Sequence, residues 1–225
     1  MDQLKKTDIL RYVAQYLPTS PIIVEAGAFD GRDTQRMSKQ WPAGVVHAFE
    51  PVPAIFAMLA TNTQQLLNVV RHPYALGATT GTATLYVSEK PSRPGQPFQA
   101  GSLLKPHERL VHSEVRYPST IIIDTITLDD WAKQNNIDHV DFMWLDVQGF
   151  ALNILQASPQ ILTTLRALYV EVEFIQAYEN QYQYEDVKAW LEQHNFVMIA
   201  RDFTDQPSWF YGNALFVSAD IQKNS

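Results

Sequence analysis

Two short apolar runs that each end in an acid constrain this chain more than any other feature. Ile22-Ile23-Val24 leads into Glu25 and then Ala26-Gly27-Ala28-Phe29-Asp30-Gly31, while Val45-Val46-His47-Ala48-Phe49 leads into Glu50 and Pro51. A buried strand, a glycine turn, a helix and a second strand ending in a carboxylate describe the opening of a nucleoside-binding α/β sheet. Ligands of such sheets lie beyond the carboxyl ends of the strands, so both acids belong to one expected site.

Charge narrows the choice of nucleoside. A dinucleotide needs G-x-G-x-x-G so that bare backbone can approach a pyrophosphate, and here Glu25 and Asp30 would repel one. S-adenosylmethionine has no phosphate and carries an ammonium and a sulfonium, which both acids suit, and Gly27 removes the side chain that would block close approach. Glu50 is then placed to accept hydrogen bonds from both ribose hydroxyls. The competing reading is that Glu25 and Asp30 only cap the following helix, since acids favour helix N-termini.

At 225 residues, 46% of them hydrophobic, the chain is expected to form a single domain, 1–225, with a substantial core. A net charge of -7 argues against a nucleic-acid binder, which needs a basic face. The absence of cysteine excludes disulfides, thiolate nucleophiles and Cys-ligated zinc. Asp2 to Leu17 carries Ile9, Leu10, Val13 and Leu17 at helical spacing and reads as a docked helix within residues 1–18 of a cytoplasmic protein. No run approaches the ~20 apolar residues of a membrane span.

Along the chain, helices are expected over Arg32–Lys39, Pro53–Leu67, Thr127–Asn136, Phe150–Gln156 and Val187–His194. Strands are expected over Asn68–Leu76, Asp141–Leu145, Ala167–Phe174, Phe196–Ala200 and Asn213–Val217, with Thr82–Val87 and Thr120–Ile126 as a pair beside the main sheet. This order fits a doubly wound sheet closed by a late hairpin at or near one edge. Residues 88–118, rich in proline and without periodicity, are expected to be a substrate-side lid or a solvated insertion.

The ordered set V-E-A-G-A-F-D-G, F-E-P, G-S-L-L-K-P, I-D-T-I-T-L-D-D, F-M-W-L-D-V-Q-G-F-A-L-N-I-L-Q-A, Y-V-E-V, Y-E-N-Q and G-N-A-L-F-V resembles the FkbM-type methyltransferases. The resemblance implies a Rossmann-like class I methyltransferase: a mostly parallel seven-stranded sheet with a terminal antiparallel strand, S-adenosylmethionine as donor, and a hydroxyl acceptor on a sugar, glycan or small metabolite. It places Glu25, Gly27, Ala28 and Asp30 in the family's cofactor loop and Glu50, followed by Pro51, on the ribose. Ser102 falls in its mid-chain loop, Asp124 before L-D-D, and Asp146 in the D-x-E-G segment. Gln148 stands where the family usually has Glu, removing one negative charge beside the reaction centre.

Methyl transfer to a hydroxyl gains from a base, and Asp146 at a strand's carboxyl end is the first choice, with Glu171 on the neighbouring strand the second. The alternatives for Asp146 are a cap or a partner of the methionine ammonium. Asp124, Asp146 and Glu171 offer hard oxygen ligands, yet no dense ligand spacing appears and no metal is expected. His47 reads as core; His107 and His112, in the lid, receive no catalytic role. Tyr178, Tyr182, Tyr184, Trp209, Phe210 and Tyr211 read as packing or as stacking surface. Two other readings stay open: an NAD-linked oxidoreductase, disfavoured by the missing three-glycine motif, and a cofactor-binding module without transfer activity, which Gln148 keeps alive.

Overall fold

The computed structural model describes residues 9–222 and the backbone of residues 2–3. In chain order the first half contains β1 (Asp2–Gln3), α1 (Ile9–Val13), β2 (Ile22–Ala26), α2 (Arg32–Gln40), β3 (Val45–Phe49), α3 (Pro53–Thr63), β4 (Val69–His72), β5 (Ala75–Leu76) and β6 (Gly81–Glu89). The second half contains α4 (Arg109–His112), β7 (Arg116–Ile126), α5 (Leu128–Gln134), β8 (Phe142–Leu145), α6 (Ala151–Gln156), α7 (Pro159–Leu162), β9 (Ala167–Glu173), α8 (Tyr184–Gln193), β10 (Phe196–Arg201), β11 (Tyr211–Ser218) and α9 (Ala219–Gln222).

The main sheet runs β1-β10-β11-β9-β8-β2-β3-β4. β11 lies antiparallel between β9 and β10, and the other pairings are parallel. This is a mainly parallel seven-stranded sheet with a terminal antiparallel strand, to which β1 adds two residues at the edge. The expected late hairpin is therefore one strand from the edge, with its last strand inside the sheet.

Both faces are covered, which is why the central strands read as continuous apolar runs. Along β8, Met143 and Leu145 pack with Trp131 of α5 and Leu152 and Leu155 of α6, while Phe142 and Trp144 pack on the other face with Ile9, Met37 and Leu59 of α1 to α3. A separate three-stranded sheet, β5-β7-β6, stands beside this core. Its β6–β7 pair was expected from sequence, and Ala83 opposite Ile123 and Thr84 opposite Ile122 set its antiparallel register.

Several boundaries differ from expectation, each for a local reason. Of the helix expected over Asp2–Leu17, the described residues form Ile9–Val13 and a 3₁₀ turn, Ala14–Tyr16, while residues 2–3 pair instead with Ala200 and Arg201; residues 4–8 lie outside the described residues. The strand expected over Asn68–Leu76 is split at Pro73, which has no N–H for the ladder, and its second part joins the smaller sheet. The helix from Pro53 ends at Thr63, since Leu67 beyond it is fully exposed and has no face to bury. α8 begins at Tyr184, three residues earlier than expected, where Asp186 accepts from the Gln183 N–H at 2.9 Å.

The irregular stretch between β6 and β7 is folded onto the rest of the chain. Phe98 N–H donates to Ser88 O at 2.7 Å, Tyr86 and Ser102 exchange backbone hydrogen bonds, and His107 N–H donates to Ala177 O at 2.9 Å. Lys105 pairs with Glu179 at 2.6 Å.

Candidate active site

Sheet register builds the site. Ala26 stands opposite Phe49 on one side and Leu145 on the other, and Leu145 stands opposite Val170. One residue further along each parallel strand lie Glu50, Gly27, Asp146 and Glu171, with Asn213 of β11 opposite Glu171. The period of two in each strand therefore brings four separate motifs into one row at the carboxyl edge.

Gly27 is the hinge of that row. Its φ of 84° lies in the left-handed region, and a Cβ there would collide with the carbonyl oxygen of Asp146. Its N–H and that of Ala28 both donate to Phe49 O, at 3.1 and 3.0 Å, tying the turn to the end of β3.

Two cavities adjoin and share Gly27, Phe29, Gln99 and Asp146. The first is a mainly apolar slot lined by Phe49, Val52, Ile55, Leu103 and Phe150, with Glu50 and Pro51 in its wall and Ser102 beside Leu103. The second is charged, with Glu25, Asp30, Arg32, Asp33 and Arg36 around Ala28. Together they suit a molecule with a flat apolar group at one end and a charged tail at the other.

Glu50 is 5% exposed, and its carboxylate accepts from Phe29 N–H at 3.1 Å and Val52 N–H at 2.9 Å. Burial raises its pKa to about 7 against the pull of those two donors. Glu25 is 1% exposed and accepts from the Thr34 hydroxyl of α2 at 2.5 Å. Asp30 pairs with Arg32 at 3.0 Å and accepts from its backbone N–H at 3.3 Å, so it carries part of the capping role weighed for it while also lining the charged cavity.

Glu171 lines neither of these cavities, yet it is joined to Asp146 by Gln148, whose Nε2 donates to both carboxylates, at 2.7 Å to Asp146 and 2.8 Å to Glu171. Ser102 donates from its hydroxyl to the Gln148 carbonyl oxygen at 2.8 Å, which ties the mid-chain segment to the reaction row. Asp124 does not join them: it is exposed on β7 opposite Thr82. Among the described residues no group of three acidic or histidine side chains is placed to hold a metal ion.

Sequence reasoning missed a second layer around Glu171. Arg109 of α4 is buried over the rings of Tyr178 and Phe210, at 5.6 and 5.4 Å, and interacts electrostatically with Glu171 and Glu173. Burial lifts Glu173 to about 8. Tyr178, weighed only as an aromatic, is fully buried and donates from its hydroxyl to Gln148 Oε1 at 3.1 Å. Tyr184 packs with Phe174 and Phe203, whereas Trp209 is more than half exposed. His47 is core, with its Nδ1 3.2 Å from Nε2 of the buried His72.

A family model described as "Methyltransferase FkbM domain" matches residues 25–198. The 2-O-methyltransferase NoeI of Sinorhizobium fredii (strain NBRC 101917 / NGR234) is 27% identical over 162 residues, covering 72% of this chain and 67% of that protein. Methyltransferase sdnD of Sordaria araneosa is 25% identical over 159 residues, 62% of this chain and 61% of that protein. The chain therefore spans only part of each relative's length.

Among solved structures, the fibrillarin pre-rRNA processing protein of Methanococcus jannaschii superposes with a TM-score of 0.54 at 13% identity, covering 91% of this chain and 69% of that one. Magnesium protoporphyrin IX methyltransferase (ChlM) of Synechocystis PCC 6803, solved with bound SAM, gives 0.51 at 12% identity, covering 94% and 76%. At such identities the likeness concerns the fold alone.

Proposed function

The chain belongs to the FkbM methyltransferase family, whose model covers residues 25–198, and from that premise we propose that it is an S-adenosylmethionine-dependent O-methyltransferase acting on a hydroxyl of a sugar, glycan or other small hydroxylated metabolite. The observation that carries this reading is the row Glu50, Gly27 and Asp146 lining two cavities that meet at Gly27 and Asp146, with Glu171 next to Asp146 in the same row. NoeI, named a 2-O-methyltransferase, supports an oxygen acceptor. Residues 1–225 are read as one methyltransferase domain, with 88–118 as its cover over the site.

The residues present fit the cofactor. The bare Gly27 backbone leaves space where a side chain would intrude, and the slot of Phe29, Phe49, Val52, Ile55 and Phe150 would take the adenine. Glu50 holds two backbone N–H groups and has lone pairs left for two ribose hydroxyls. Glu25, Asp30 and the neighbouring arginines would hold the charged amino-acid end. When bound, the cofactor supplies a methyl group on a positively charged sulfur, already activated for displacement.

The protein's part is then to orient the acceptor and take its proton. Correct placement is worth about 7–11 kcal/mol in favourable cases, and a base adds roughly 10²–10⁴-fold. The acceptor's hydroxyl proton passes to a carboxylate oxygen of Asp146, with Glu171 beside it as the alternative base. The neighbouring acids Asp146 and Glu171 suit a neutral acceptor better than a phosphate-bearing one. Among the described residues no helix is long and apolar enough to cross a membrane.

Titration calorimetry with S-adenosylmethionine and S-adenosylhomocysteine, and with NAD as control, tests the reading. Binding of the first two in the micromolar range, roughly -8 kcal/mol, without NAD binding is expected. Binding of NAD alone, or of none of the three, overturns it.

A further inference from the structure

Asp146 and Glu171 stand side by side at the end of adjacent parallel strands, and a third side chain reaches between them. Gln148 follows Asp146 by two residues, is 5% exposed, and has a φ of 51°; Gly149 continues the turn at 87°. The left-handed pair doubles the chain back, so that the Gln148 side chain returns to the row its own segment has just left.

The amide has two N–H donors and a carbonyl acceptor. Nε2 donates to Asp146 Oδ1 at 2.7 Å and to Glu171 Oε1 at 2.8 Å, while Oε1 accepts from the Tyr178 hydroxyl at 3.1 Å. This network fixes the orientation of the amide. Turned about, its oxygen would face two carboxylates. Tyr178 is held in turn by Tyr117, hydroxyl to hydroxyl at 3.2 Å.

We propose that Gln148 is a positioning residue that keeps Asp146 and Glu171 aligned and both ionised, by supplying the two donors that neighbouring carboxylates otherwise obtain by sharing a proton. The inference rests on the proposed reading that these carboxylates face the methyl acceptor. Like charges within hydrogen-bond reach of one group raise one pKa strongly, because both cannot ionise without a balancing donor. A neutral amide balances them without a proton of its own to lose, so the pair keeps its capacity to accept one from a hydroxyl.

Glu50 beyond β3 and Glu173 on β9 are lifted by burial to about 7 and about 8, and Tyr169, Tyr211, Tyr117 and Tyr178 surround the pair as neutral phenols. Arg109 interacts with both Glu171 and Glu173, and Arg32 and Arg36 line the charged cavity that Asp146 also lines. A glutamate at position 148 would add a third negative charge where the amide now donates.

The test uses cofactor-free protein, so that it is separate from cofactor binding. Carboxyl ¹³C NMR follows Asp146 and Glu171 in the native chain, in Gln148→Met, which keeps the length and loses both donors, and in Gln148→Glu. In Gln148→Met the higher of the two midpoints is expected to rise by about one pH unit or more, and in Gln148→Glu the three carboxylates are expected to retain a proton toward neutrality. A residue that only fills space would be replaced by methionine without moving either midpoint.

Midpoints in Gln148→Met within about 0.3 unit of the native ones overturn the proposal. If the variants do not fold, the native chain decides. Its two Gln148 side-chain amide protons are expected to exchange slowly with solvent and to shift as the carboxylates titrate; fast-exchanging signals that do not move with pH overturn the proposal too. Failure of S-adenosylmethionine to bind would remove the proposed function and leave these titrations as they are.

Discussion

Glu50 carries two backbone donors and is nevertheless lifted to about 7 by burial, so its charge changes in the range where a methyltransferase works. The ionised form accepts more strongly from hydroxyls and attracts a cationic ligand. Affinity for S-adenosylmethionine is therefore expected to rise as pH increases through about 7. In Glu50→Gln, calorimetry should find binding weaker by roughly tenfold and flat across that range, a loss of about 1.4 kcal/mol. Unchanged affinity and slope would remove Glu50 from the site. Glu173 makes a prediction about stability instead. Its pKa in the fold is about 8 against an ordinary 4.5, so the folded chain keeps a proton that the unfolded chain has already lost. Stability conferred by that proton is present below about 4.5 and declines as pH rises to about 8. Glu173→Gln is expected to flatten the fall of Tm between those values, and an unchanged slope would show that Glu173 is not buried as described. Glu25, Gly27, Glu50 and Asp146 were legible because each adjoins an apolar run whose alternation fixes where it points. Gln148, Arg109 and Tyr178 were not, since they meet only through the pairing of β8 with β9 and the return of the chain at 105–109, which no local spacing encodes.

Elements tolerate change according to what they touch at their ends. The β2–α2 turn has no slack: Gly27→Ala puts a methyl group against the Asp146 backbone at a positive φ, so the turn must move away from β8. This variant is expected to lose at least ~2 kcal/mol of stability in urea unfolding together with cofactor binding, and native-like values for both would contradict the close approach. The cover over the site depends on a smaller fastening. Ser102→Ala removes the donor to the Gln148 carbonyl and the acceptor for the Leu104 N–H, at a cost of about 1–3 kcal/mol. Limited proteolysis within residues 90–115 should then accelerate relative to the native chain, and an equal rate would show that the fastening is immaterial. Most elements could be read from the sequence to within a few residues because strands and helices announce themselves by period. The exceptions were set by single residues, with Pro73 breaking one strand in two and Asp186 starting α8 early.

Across the whole molecule, the two edges of the sheet have separate duties. At the amino edge, opposite the site, Asp141 accepts the Ile22 N–H with its side chain at 2.9 Å and the Arg166 and Ala167 N–H groups with its carbonyl, both at 3.1 Å, joining the starts of β2, β8 and β9. Asp141→Ala is expected to lower Tm by several degrees through an unsatisfied buried donor while cofactor affinity stays as it was. A parallel loss of affinity would mean that the two edges are not independent. A doubly wound sheet with a late hairpin near one edge was legible at this scale, because right-handed crossovers leave few arrangements for alternating strands and helices; the two-residue contribution of β1 was not, because so short a pairing has no pattern to detect. The apolar slot has its floor in the loops after β2 and β3 and its roof in residues 98–103, a stretch that reaches the site only after passing through the smaller sheet. A nucleoside lying there has that stretch across its way out. Under the proposed function, the spent donor would leave past residues 98–103, so loosening that stretch is expected to shorten the residence of the product, which stopped-flow displacement would measure.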